Sequence, residues 1–294
     1  MSGKILVVGD VMTDVIVVPE GPMVKGSDRR ATVRSRPGGS GANQAVWLGA
    51  MAADVVFAAR VGQSDRAMYE NYFRGLSVVP VLAGDAEQPS GVLVTIVDTD
   101  GERSFLTDRG ANLNLSADDL PDSLLDEVSM IMVSGYSFFA PGPRAAVQSL
   151  FAAAKDRGIA IAIDPASVGF LAEVGADQFL DWTSGADWLF ANADEAALLT
   201  GLDDYQAQMV ALGAHYGNVV IKRGRDGAAL GGQAGLRVEL PAPSVTVVDS
   251  TGAGDAFAAG FLAALLDGED EASAMAEGIA SGAKAVQTIG GQPG

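Results

Sequence analysis

Along most of the chain, short apolar runs rich in β-branched residues alternate with alanine-rich helical stretches. Runs near 4–9, 55–60, 129–133, 159–163, 187–191 and 218–222 read as strands, and stretches near 41–52, 65–75, 143–156, 193–200 and 204–214 read as helices. Such alternation predicts a parallel sheet covered by helices on both faces. Two segments break the rhythm. Residues 15–36 and 89–108 alternate apolar and polar positions with no helix between them. In the second, Gly91-Val92-Leu93-Val94-Thr95-Ile96-Val97 leads through a turn at Asp98-Thr99-Asp100-Gly101 into Arg103-Ser104-Phe105-Leu106. A period of two on either side of a polar turn predicts hairpin strands of a separate small sheet. The expected fold class is α/β, with a central mostly parallel sheet flanked by helices and a small β-sheet beside it. There is no fixed-period repeat or low-complexity tract, and the Gly/Pro-rich points read as turns, so residues 1–294 are expected to form a single domain.

Composition narrows the chemistry. A hydrophobic content of 48% over 294 residues is ample for a core. The formal charge of −18, from 19 Lys and Arg against 37 Asp and Glu, argues against nucleic acid as a partner, because contact with a phosphate backbone needs clustered cations. An anionic substrate must then be held locally, by backbone amides, a divalent cation or a few placed arginines. With no cysteine and His215 as the one histidine, disulfides, thiolate chemistry and Cys/His zinc sites are excluded. His215 lies in Leu212-Gly213-Ala214-His215-Tyr216-Gly217, which reads as a helix end where a cation is tolerated. Residues 5–18 are broken by Asp10, Thr13 and Asp14, and the apolar run Ala256 to Leu266 has 11 residues. A bilayer span needs about 20, so no membrane partner and a cytoplasmic location are expected.

Most of the chemistry sits in Val247-Val248-Asp249-Ser250-Thr251-Gly252-Ala253-Gly254-Asp255-Ala256-Phe257, where a β-branched run enters a glycine-rich turn that opens an apolar helix. Gly252, Ala253 and Gly254 would point free amides at one spot, where the positive end of the helix dipole also favours an anion. Asp255 would repel a resting phosphate, yet it is placed to take a proton from a hydroxyl attacking that phosphate. An aspartate there also serves as a plain helix cap. Other phosphate-binding designs are missing. The chain has no GxxxxGK[ST], and Gly252-x-Gly254-x-x-Phe257 lacks the third glycine of a dinucleotide fold.

The string DSTGAGDAFAAGFL, residues 249–262, resembles the C-terminal signature of the ribokinase-like (PfkB-type) carbohydrate kinases. Pro37-Gly38-Gly39-Ser40-Gly41-Ala42-Asn43-Gln44-Ala45 has the form of that family's N-terminal signature, and Arg60-Val61-Gly62 follows in place. Two matches in the right order, far apart in the chain, are much more specific than either alone. The resemblance covers nearly the whole chain. It implies an ATP-dependent kinase acting on a hydroxyl of a small sugar, with Mg²⁺ as cofactor and the small sheet as a lid and a homodimer contact.

Residue by residue, the resemblance implies that Asp14, with Asp10 nearby at the carboxyl end of the first strand, binds sugar hydroxyls, which carboxylates accept in pairs. Gly38 and Gly39 would let the backbone approach the sugar, and Asn43 would donate to or accept from it. Many ribokinases carry Lys where this chain has Ser40, which weakens the case for ribose. Asn192 and Glu195 are spaced as a capping box; as the family's N-x-x-E motif they would order the water shell of Mg²⁺. In Lys222-Arg223-Gly224-Arg225-Asp226-Gly227, a strand-turn-strand unit, Lys222, Gly224 and Gly227 would lie beside the nucleotide, as would Thr251. Asp249 and the turn near Gly290-Gly291 match the region that binds potassium in some members. Arg103 and Arg109 fall where the second lid strand returns to the main sheet. If either points inward, the substrate carries its own negative charge, because guanidinium favours carboxylate or phosphate.

The leading expectation is a ribokinase- or fructokinase-like sugar kinase with Asp255 as base and the 252–254 amides stabilising the transferred phosphoryl group. Two enzymatic alternatives keep this machinery, a kinase of a sugar acid such as 2-keto-3-deoxygluconate and a nucleoside kinase. A non-catalytic nucleotide- or sugar-binding protein is the alternative of another class. Asp255 argues against it, since a binder gains nothing from a carboxylate set against a phosphate.

Overall fold

The structure is a computed structural model that describes residues 3–23, 25–97 and 103–293, with the side chain of Arg103 outside that description. The large sheet has nine strands: β1 (Lys4–Val8), β4 (Val55–Gly62), β5 (Val78–Asp85), β8 (Val128–Ser134), β9 (Ala160–Asp164), β10 (Trp188–Asn192), β11 (Asn218–Lys222), β12 (Ala228–Gly232) and β13 (Gly235–Leu240). Their order is β5-β4-β1-β8-β9-β10-β11-β12-β13. Neighbours from β5 to β11 run parallel, and the β11-β12 and β12-β13 pairs are antiparallel. Both faces of the inner part of the sheet are buried, which is why its strands are apolar on both faces: in β1, Ile5 and Val7 face one core cluster and Leu6 and Val8 the other. The first cluster packs α1 (Ser40–Ala50), α2 (Arg66–Arg74), α8 (Ala253–Leu266) and α9 (Glu271–Ala285) onto the sheet. The second packs α3 (Pro141–Asp156), α4 (Val168–Val174), α5 (Ala176–Thr183), α6 (Ala193–Thr200) and α7 (Tyr205–Leu212).

The small sheet contains β2 (Met12–Pro19), β3 (Ala31–Gly38), β6 (Gly91–Val97) and β7 (Arg103–Asp108), in the order β3-β2-β6-β7. The two expected hairpins, β2/β3 and β6/β7, are joined by a parallel pairing of β2 with β6. Register sets Arg36 opposite Asp14, Asp14 beside Leu93, and Leu93 opposite Thr107. That row crosses the whole lid. The turn expected at Asp98 to Gly101 lies outside the described residues. Among the described residues no helix is long and apolar enough to cross a membrane.

Asp10 follows β1, Asp164 ends β9, Asn192 ends β10 and Lys222 ends β11, so the parallel strands deliver four polar side chains to one edge. Open α/β sheets place their ligands there. At that same edge the β11-β12 turn needs Gly227, whose φ is +88°. A Cβ there would also lie 2.0 Å from the carbonyl oxygen of Leu240. Gly227→Ala is expected to lower stability by about 2 kcal/mol or more. Thermal unfolding should register this as a fall in Tm of roughly 5 °C. Gly158→Ala, also at positive φ but with no atom near the added methyl, should cost only about 1 kcal/mol. Equal losses at the two positions would rule out the clash.

Candidate active site

The glycine-rich turn before α8 is held open by its own backbone and by Asp249. Gly252 sits at φ +74°, and a Cβ on it would lie 2.3 Å from Cα of Gly291, so the turn can press against the C-terminal segment only as glycine. Asp249 accepts from the Thr251 amide and from the Gly290 amide, each at 2.9 Å, and so ties the two turns together. The Ala253 amide turns back to the Ser250 carbonyl at 3.3 Å. Expected as one of three anion donors, it is therefore partly engaged. Among the described residues the amides of Gly252, Gly254 and Asp255 have no acceptor, and they form the cradle at the helix N-terminus.

Asp255 lies in the first turn of α8 and faces the first turn of α1. Its Oδ1 accepts from Ser40 Oγ at 2.7 Å and from Gln44 Nε2 at 3.1 Å, and its Oδ2 accepts from Asn43 Nδ2 at 3.0 Å. It does not cap its own helix, since no side chain caps α8. Burial pushes its pKa up to about 7, with Asp164 adding to the rise, while Ser40, Asn43 and Lys222 oppose it. Lys222 donates to Asp164 at 2.6 Å, and its ammonium lies 3.1 Å from the position a Cβ of Gly254 would take, directly over the cradle. Burial alone would lower the Lys222 pKa, but Asp164 and Glu195 outweigh it and the net direction is upward. The Asn192–Glu195 capping box forms as the spacing predicts, with the Glu195 amide donating to Asn192 Oδ1 at 2.9 Å and the Asn192 amide to Glu195 Oε2 at 2.8 Å. Burial, then Asp164, raises the Glu195 pKa to about 7.

A cleft of about 1010 Å³ runs from this cluster to the lid. Asp14 projects into it from β2, almost wholly buried, with Oδ1 lacking any partner; Asn43 Oδ1 and Gln44 Oε1 are orphaned in the same way. Buried polar atoms left without partners call for a ligand that supplies them. Burial lifts the Asp14 pKa to about 6, eased by Arg36 and reinforced by Asp10 and Asp249. Gly38 is obligatory because a Cβ would fall 2.1 Å from Asp14 Oδ2. At Gly39, φ is +98° and a Cβ would meet the Asp10 carbonyl oxygen at 2.7 Å. Asp10 lines the cleft, but its Oδ1 accepts from the Gly41 amide and Ser134 Oγ, both at 3.2 Å, so it also anchors α1. Arg109 reaches the cleft from the lid's return, whereas the Arg103 side chain lies outside the described part of the structure.

A second cleft, of about 630 Å³, meets the first at Asn192, Lys222, Ser250 and Gly254. Gly224 and Gly227 border it together with Arg225, and Thr251 lines the first cleft. Its apolar walls come from Val245, Phe257, Ile279 and Val286. Polar groups where the clefts join and apolar walls beyond suit a phosphate chain and a flat heterocycle.

Sequence reasoning missed Asp164, Gln44 and Tyr136. Asp164 carried a signal, since Ile161-Ala162-Ile163-Asp164 ends an apolar parallel strand in a carboxylate, as the first strand does just before Asp10. Gln44 and Ser40 are legible only once α1 is known to face α8.

The model of the pfkB family carbohydrate kinases matches residues 2–294. A fructokinase from Klebsiella pneumoniae is 30% identical over 276 residues, covering 90% of this chain and 85% of that protein. An ATP-dependent ribose-1-phosphate kinase from Halopiger xanaduensis is 29% identical over 265 residues, covering 87% and 83%. Among solved structures, a ribokinase from Thermotoga maritima superposes with a TM-score of 0.83 over 99% of this chain and 95% of its own, at 23% identity, which speaks to the fold. The acid above the amide cradle, the two joined clefts and a family match from end to end agree, and the chain belongs to the pfkB family, whose members are ATP-dependent carbohydrate kinases.

Proposed function

We propose that Asp255 is the general base of this sugar kinase, and that its placement carries the residue assignment. Its carboxylate takes the proton of the attacking sugar hydroxyl while a new O–P bond forms and the bond from the γ-phosphorus to the β,γ-bridging oxygen breaks, releasing ADP. A base with a pKa near neutrality combines a deprotonated population with useful basicity. The Gly252, Gly254 and Asp255 amides face the charge that develops on the phosphoryl oxygens, and Lys222 stands over them. Asp14 and Asn43, which line the cleft, offer orphaned atoms that a polyol would satisfy. The second cleft takes the nucleoside.

Mg²⁺ fits the oxygen-rich edge formed by Asp164, Asn192 and Glu195. No group of three or more acidic or histidine side chains among the described residues forms a direct cage, which agrees with an ion held through its waters and the nucleotide phosphates. When bound, the ion neutralises phosphate charge. Asp249, which joins the cradle turn to the 290 turn, would be the carboxylate at hand for a monovalent cation. The lid would form the homodimer contact, as its exposed Val33, Phe105 and Leu106 suggest, and light scattering that returns a monomer at micromolar concentration would rule this out.

Asp255→Asn should lower kcat by a factor of about 10²–10⁴ with nucleotide affinity retained. The substitution is tolerable because Asn43 can flip to offer its orphaned oxygen to the new amide. A base must be deprotonated to act, so kcat/KM of the wild type should rise with pH and level off above about 7, with Asp14 adding a step near 6. A flat wild-type profile from pH 5 to 8 would contradict the assignment.

Asp14→Ala should raise KM for the sugar roughly 10- to 100-fold, since hydrogen bonds to a charged group are each worth about 1.5–3 kcal/mol. Steady-state kinetics with both substrates varied decide the matter. A rise in KM for ATP instead would move Asp14 out of the sugar subsite.

A further inference from the structure

Resting on the kinase reading above, we infer that the sugar carries an anionic group of its own, a phosphate or a carboxylate, and that Arg109 is the residue that reads it. Two cations line the large cleft among its described residues, Lys222 and Arg109. Lys222 is matched by Asp164 at 2.6 Å. Arg109 makes no ion pair among the described residues, and its Nε is buried without any partner. What it does touch is Tyr136: the guanidinium carbon lies 4.6 Å from the ring centroid, and Nη2 reaches the Tyr136 carbonyl only at 3.5 Å. The stack and that one long bond leave the Nε donor unused. Arg60, by contrast, donates to Asp85 at 3.0 Å and to Asp119 at 2.9 Å, in the way a structural arginine is usually satisfied.

The backbone that presents Arg109 is clamped. Asn112 Nδ2 donates to the Arg109 carbonyl and to the Val11 carbonyl, both at 2.9 Å, and Asn112 Oδ1 accepts from the Val11 amide at 2.9 Å. One buried amide therefore fixes Arg109 relative to the loop between Asp10 and Asp14, so the guanidinium and the sugar carboxylates keep a set spacing. Gly110 follows at φ +48°, where a Cβ would meet the Pro89 carbonyl oxygen at 2.4 Å, which again allows one path for the chain. A pre-positioned guanidinium loses little conformational freedom on binding. Beneath a closed lid, facing a neutral sugar, it would be a desolvated charge with no counter-ion, which is costly. A phosphate or carboxylate matches its fork in two bonds. Away from Lys222 and the amide cradle, the sugar end of the cleft otherwise presents Asp10 and Asp14, and their field leaves the side of Arg109 as the place for a substrate anion. That sets the orientation of the substrate as well as its class.

The test compares kcat/KM for fructose with fructose 1-phosphate and fructose 6-phosphate, and for a neutral hexose with 2-keto-3-deoxygluconate, in the wild type and in Arg109→Met and Arg109→Lys. An anionic member should exceed its neutral counterpart by about 10²-fold, and Arg109→Met should reduce that preference by about 10²-fold, mainly through KM. Arg109→Lys should recover part of it, as a point charge without the fork. Whether the phosphates or the sugar acid lead identifies the source of the anion. Met keeps much of the stem over Tyr136, so a role limited to stacking predicts equal losses for neutral and anionic sugars. Such equal losses, a neutral sugar that matches its anionic partner, or a rise in KM for ATP alone would each overturn the inference. Failure of the base assignment would look different, because Asp255→Asn would then turn over at the wild-type rate while the Arg109-dependent preference persisted.

Discussion

Three carboxylates, the buried Asp164 and Glu195 and the part-buried Asp255, crowd one part-buried cation at the junction of the clefts, and that imbalance shapes the chemistry of the site. Asp164 holds Lys222 at 2.6 Å, while Glu195 and Asp255 lie within their field. Burial first, and then the negative charge of Asp164 that Lys222 only partly offsets, pushes Glu195 and Asp255 up to about 7. Asp255 becomes a stronger base than an exposed aspartate for that reason. The same deficit of positive charge would favour a divalent cation there, and Lys222 stands over the amide cradle. Had Asp164 been apolar, Lys222 would lack its partner and the drive on Asp255 would be weaker.

The first turn of α1 links this cluster to the sugar. Ser40, Asn43 and Gln44 all donate to Asp255, yet Asn43 and Gln44 each keep an oxygen with no partner. A hydroxyl that satisfies one of those oxygens is thereby brought next to the carboxylate that must deprotonate it. The glycines before the helix serve the same closeness. Gly38 leaves room for Asp14, and Gly41 lets α1 approach β1 so nearly that a Cβ would fall 2.6 Å from Cα of Gly9. On the proposed roles, selection of the sugar and activation of its hydroxyl would share one piece of backbone.

Much of this was legible in the sequence because it is written in local patterns. The inner strands announce themselves through runs apolar on both faces, and Gly252-Ala253-Gly254-Asp255 states its chemistry within four residues. β5 escaped notice because Pro80 interrupts it, and proline is tolerated there only because β5 is an edge strand that pairs with β4 alone. The alanine-rich α9, which forms a wall of the second cleft, was not singled out either. Arg103 and Arg109 looked equivalent along the chain, and what singles out Arg109 is its clamp through Asn112, a contact with Val11 across 101 residues. Long-range partners of this kind have no signature in periodicity.

The segment around residue 290 has a consequence for how the protein comes into being. The Gly290 amide braces Asp249, the Gly291 carbonyl accepts from Trp47 at 2.9 Å, and the Ile289 carbonyl accepts from Arg36 of the lid at 2.5 Å. During synthesis from the N-terminus, every side chain assigned to the reaction emerges before these ties can be made. A nascent chain can therefore hold all the reactive groups while its cradle turn is unbraced and its lid strand untethered, and a braced site must wait until the segment around residue 290 has emerged.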